Sequence, residues 1–98
     1  MVLIHLYSKK YNLSKIINLN NATELGYDER LNSIIIKYIS GETCILMNEI
    51  MLEDIAPNIF IEKLVDKIYS GSDNQILIDV DEILNAIHEE EKITNSIK

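Results

Sequence analysis

Residues 33–39 (SIIIKYI) and 42–47 (ETCILM) flank a Ser40-Gly41 pair, a spacing that predicts two antiparallel strands closed by a two-residue turn. The first run is almost continuously apolar, as in a strand covered on both faces. Helical patterns follow with no long linker: MNEIMLEDI, NIFIEKLVDKIYS and DNQILIDVDEILNAIHEE. Asn48 can cap the first and Glu49 sits near its positive end, with Pro57 stopping it. In the second, Phe60, Leu64 and Ile68 recur at helical spacing beside Ile61, Val65 and Tyr69, and Gly71 suits a left-handed stop. In the third, Ser72 and Gln75 fit a capping box that starts a helix near Asp73, with Ile76, Leu77, Val80, Ile83, Leu84 and Ile87 as its apolar stripe.

Upstream, residues 2–7 (VLIHLY) read as an opening strand. Residues 11–31 are the least legible: KIINL suits a short strand, NNATELGYDERLN a loop or a helical turn, and Gly26 marks a break. No internal repeat stands out. The expected fold class is therefore α+β, with N-terminal antiparallel strands and a hairpin followed by three helices in a winged-helix-like order, as one domain over 1–98.

Composition narrows the function. Ninety-eight residues with 47% hydrophobic content suit one modest core. Sixteen acidic against nine basic residues give a formal charge of −7, which repels a phosphate backbone, so no nucleic acid is expected as a partner. The predicted third helix has no Lys or Arg between Asn74 and Glu91, which argues against a DNA-reading winged helix. The single cysteine, Cys44, precludes an internal disulfide, and no Cys/His spacing suits zinc, so no metal or other cofactor is implied. The start MVLIHLYSKK lacks the order of a signal peptide and no run approaches a membrane span, so no membrane partner and a soluble cytoplasmic protein are expected.

Chemistry-bearing residues are sparse. Cys44 has no histidine and carboxylate placed by the sequence to activate it, and buried cysteine is usually structural. His88 follows the last apolar turn and can complement a helix end, and His5 in an apolar strand reads as a hydrogen-bonded structural residue. No acid, base and nucleophile form a set, so no enzyme activity is expected.

Three motifs in order, Met47-Asn48-Glu49 closing a strand, residues 62–68 (EKLVDKI) and residues 79–84 (DVDEIL), resemble those of the PqqD-like family, the RiPP recognition elements. The likeness covers about 33–93, with Met47 where the family pattern has Leu. It implies a stand-alone, non-catalytic peptide chaperone of natural-product biosynthesis. Such a domain binds the leader segment of a ribosomally made precursor peptide and presents it to a separate modifying enzyme or leader peptidase. The leader would lie as an added strand on the outer edge of the second hairpin strand, facing the last helix. The implied peptide-binding residues are Thr43, Cys44, Ile45 and Leu46 on the strand, with Ile76, Asp79, Val80, Ile83 and Ile87 on the helix. Taken singly, Ile76, Val80, Ile83 and Ile87 each suit plain core better, because an apolar stripe at helical spacing usually faces a core. The rival reading is a small acidic inhibitor or immunity-type protein that blocks a basic partner, which the net charge favours.

Overall fold

A computed structural model describes residues 2–71 and 75–96, with side chains as far as residue 91. The chain forms β1 (Leu3–Ser8), β2 (Leu13–Asn18), β3 (Ala22–Asp28), β4 (Ser33–Tyr38), β5 (Thr43–Asn48), a single 3-10 turn (Ile50–Leu52), α1 (Pro57–Ser70), β6 (Gln75–Asp79) and α2 (Val80–Ser96). The strands make two three-stranded sheets, ordered β2-β1-β6 and β3-β4-β5. This overturns the winged-helix-like expectation of a hairpin followed by three helices. The α+β class stands, but among the described residues five strands precede the first helix, a sixth lies between the helices, and there are two helices.

Each difference has a local cause. The expected third helix is β6 and α2 joined end to end. Residues 75–79 pair in parallel with β1, Leu3 opposite Gln75 through Tyr7 opposite Asp79. Along β6, Ile78 is buried and Leu77 is 66% exposed, the period of two of a strand. Ile76, Val80, Ile83 and Ile87 also fall at helical intervals, so one stripe reads straight through a strand-to-helix junction. The capping residue Ser72 and the start at Asp73 lie outside the described residues. The expected first helix is only the 3-10 turn, whose N-cap position is Glu49; Asn48, one residue earlier, still accepts the Met51 amide on its Oδ1 at 3.0 Å. Gly71 ends α1 with φ −72°, extended rather than left-handed. The stretch expected as loop or helical turn contains β3, which runs through Gly26 without a break.

The β4–β5 hairpin forms where expected, but its connection is longer than two residues. Tyr38 donates its amide to the Glu42 carbonyl at 3.0 Å, and Gly41 takes φ 92° between them, a conformation that glycine adopts without steric cost.

A recurrence hidden in the sequence becomes visible in the turns. YSKKYN (7–12) and YDERLN (27–32) close β1–β2 and β3–β4, and each ends on a left-handed asparagine, Asn12 at φ 52° and Asn32 at φ 49°. Ser8 Oγ accepts the Tyr11 amide at 3.1 Å, as Asp28 Oδ1 accepts that of Leu31 at 3.3 Å. Asparagine tolerates the left-handed region and short polar side chains bond amides two or three residues on, so the same turn chemistry recurs at a twenty-residue offset. This corrects the reading that no repeat is present.

One core joins both sheets. Ile4, Leu6, Ile17 and Ile78 from the first, Ile34, Ile36, Leu46 and Met47 from the second, and Phe60, Leu64, Val80, Ile83, Leu84 and Ile87 from the helices are buried in a single cluster. Leu46 and Met47 can both face inward because the β4–β5 register shifts between Ile34 and Ile35, a bulge that sets two residues against one. Helix α1 packs on α2, β3 and β6, and α2 on β1. No helix among the described residues is long and apolar enough to cross a membrane.

Candidate functional site

The expected groove combined the outer edge of β5 with the last helix. Its strand residues keep their place at an edge. Tyr38 bonds toward β5 and Ile39 toward Asn21, so by alternation Ile36 and Tyr38 bond β5 while Ser33, Ile35 and Lys37 bond β3. Cys44, opposite Ile36, therefore points its backbone groups into the sheet, and Thr43 and Ile45 point theirs outward. The Ile45 carbonyl accepts Lys15 Nζ of β2 at 3.0 Å, and Tyr38 Oη donates to the Asn18 carbonyl at 2.8 Å. The edges of β2 and β5 thus face each other across a notch of about 360 Å³ that includes Ile17, Tyr38 and Cys44, bridged by side chains and not by a ladder.

The helix partners are dispersed. Ile76 is half-buried on β6, and Asp79 closes β6 and caps α2, its Oδ1 accepting the Glu82 amide at 3.3 Å. Val80, Ile83 and Ile87 are buried core. Cys44 is half-buried with its thiol 3.9 Å from the Ile45 carbonyl, and His5 bonds Ser14 Oγ at 2.8 Å.

A different strand edge borders an apolar cleft. Between the two sheets and under α1 lies a cavity of about 280 Å³, walled by Leu6, Ile17 and Leu19 from one side, Leu25 and Ile36 from the other, and Ile68 of α1. Leu46 alone among the expected residues lines it. Residues 22–25 of β3 and Val65 and Tyr69 of α1 also line it, and Tyr69 is 84% exposed. The alternation that orients β5 orients β3 as well: Glu24, Gly26 and Asp28 bond β4, so the amides and carbonyls of Leu25 and Tyr27 face away from the sheet. Among the described residues, strand β3 has a neighbour on one side only. In the sequence Val65 and Ile68 only mark a helix, because helical spacing cannot tell a core stripe from a cleft wall. The period-two pair Leu25 and Tyr27 was the signal that could have exposed β3.

A polar cluster elsewhere fastens the fold. Glu53 follows the 3-10 turn with φ 50° and ψ 48° and accepts bonds from Lys10 Nζ and Tyr11 Oη, while His88 Nε2 lies 3.1 Å from its other oxygen. Those bonds, Lys10 first and Tyr11 next, hold the Glu53 carboxyl down at about 2, and the same contact raises the Tyr11 phenol and the Lys10 ammonium. A carboxylate so acidic is a poor general base near neutrality. Asp81 at the start of α2 accepts Ser8 Oγ at 2.7 Å and the amides of Lys9 and Lys10 at 3.0 Å each. Burial lifts the Asp81 carboxyl, but these bonds and the Lys10 charge outweigh it and leave it below its ordinary value. Both acids dock the β1–β2 turn. Among the described residues no group of three or more His, Cys, Asp or Glu is placed to hold a metal ion. Comparisons with family models, curated proteins and solved structures give no match to this chain.

Proposed function

We propose that the protein is a non-catalytic peptide-binding module. An extended segment adds to the outer edge of β3 and places an apolar side chain in the cleft beneath α1. The observation that carries this reading is the meeting of an unpaired strand edge, at Leu25 and Tyr27, with an apolar cavity of about 280 Å³ whose wall includes residues of that same strand. Backbone pairing supplies affinity without regard to sequence, and the cavity adds selection for an apolar anchor. The motif resemblance names the natural peptide as a precursor leader handed to a separate modifying enzyme. The geometry favours β3 over β5 as the accepting edge, because Lys15 already occupies the Ile45 carbonyl.

The test is selection of random displayed peptides on the immobilised chain, followed by amide NMR of the complex. Leu25 and Tyr27 should shift most. Largest shifts at Thr43 and Ile45 would return the site to β5, and failure to select any peptide would overturn the reading and favour the acidic-inhibitor alternative that the charge of −7 supports.

A further inference from the structure

Resting on that peptide-binding reading, we infer that the β3 edge selects an antiparallel segment of alternating character, apolar–basic–apolar, with the basic residue opposite Gly26. Directly opposed residues in a sheet project to the same face. Peptide residues opposite Leu25 and Tyr27 therefore project to the face of Ile36 and Ile34, their β4 partners, which is the core face closed by α1. Those two positions require apolar side chains. The residue between them projects to the opposite face, where Gly26 offers no side chain and Glu24 and Asp28 are its diagonal neighbours.

Glu24 is already aimed at that position. A Cβ at Gly26 would meet Glu24 Oε1 at 3.8 Å, so the carboxylate leans over the glycine, while Glu24 Oε2 lies 3.8 Å from Lys37 Nζ. The Glu24 side chain is 60% exposed, so an incoming ammonium or guanidinium reaches it without desolvating a buried group. Asp28 is turned to its own loop, accepting the Arg30 and Leu31 amides at 2.8 and 3.3 Å, so Glu24 is the group that selects. An antiparallel partner exchanges both backbone bonds with Leu25 and both with Tyr27, which fixes the register.

The experiment is selection of a random nonapeptide library on the wild-type chain and on Glu24→Lys, whose melting temperature should fall only slightly, because the new lysine opposes Lys37 but both side chains are solvent-exposed. Wild type should enrich apolar–Lys/Arg–apolar triplets. A synthetic peptide carrying that triplet should bind Glu24→Lys about five-fold more weakly, the scale of an exposed ion pair, and exchanging its central Lys for Glu should restore binding to the variant. N-methylation of either apolar residue should weaken binding at least several-fold, and N-methylation of the central residue should leave it unchanged. Peptides that bind wild type with no central cation, or that ignore Glu24→Lys, would overturn the selectivity while leaving peptide binding intact. Selection of no peptide at all would overturn both.

Discussion

Glu53 is one residue on which three segments converge: the β1–β2 turn through Lys10 and Tyr11, the exit of the 3-10 turn through its own backbone, and α2 through His88. Its left-handed backbone, followed by Asp54 at φ 66°, is unfavourable for side chains of this kind and is held by the contacts that the carboxylate makes. The sign of its pH dependence follows from linkage. A carboxyl lowered on folding from 4.5 to about 2 adds stability that is fully present above its unfolded value and is lost as pH falls from about 4.5 toward 2. Asp81, also lowered, acts in the same direction. Glu53→Gln leaves the backbone requirement in place and removes the charge. We predict that its melting temperature falls below wild type at pH 7 and converges with wild type as pH drops toward 2, measured by circular dichroism across that range. Parallel curves would show that the carboxylate charge contributes nothing. None of this clamp was legible in the sequence, because Lys10, Glu53 and His88 are far apart in the chain and only the tertiary fold brings them together.

At the level of elements, the strands with strong local signals were legible and the one defined by a distant partner was not. The β4–β5 hairpin carries an apolar run and a glycine turn, and β1 a short β-branched run, both of which act locally. Strand β6 exists because β1 offers it a parallel edge some seventy residues earlier in the chain, and its apolar residues share a helix-like period with α2. The proposed site draws on ingredients the sequence offered, an edge strand and an apolar helix face, but takes them from β3 and α1, where the sequence points to β5 and the last helix. The edge of β5 can still be examined directly. The Ile45 amide faces outward, whereas the Cys44 amide bonds Ile36 across the sheet. Proline at Ile45 removes no ladder bond, and Ile45 is 42% exposed, so its side chain loses little on replacement. Proline at Cys44 removes an internal bond. We predict a folded Ile45→Pro and a strongly destabilised Cys44→Pro, compared by thermal melts. Equal loss in both would mean that β5 is paired on its outer side.

Over the whole molecule, two sheets that share no ladder must be held as one body by what packs between them. Helix α1 reaches β3 in one sheet and β6 in the other, and its Phe60 is fully buried in the core cluster that draws on both. Side-chain bridges join β2 to the second sheet from the other side, Lys15 to β5 and Tyr38 of β4 to Asn18, but they are single hydrogen bonds, each contributing on the order of 1 kcal/mol. Truncating Phe60 to alanine should cost roughly 3–5 kcal/mol through the cavity it leaves. Because the lost contacts bind both sheets to one helix, that cost should fall on both together. Hydrogen exchange reads this separately at Leu6 of β1 and Ile36 of β4, central strands whose amides open only with their sheets. In Phe60→Ala both should lose the same protection, the mark of a single cooperative unit. If Ile36 lost protection while Leu6 kept it, the two sheets would be independent folding units, and the cleft between them would be a hinge whose width changes as they move.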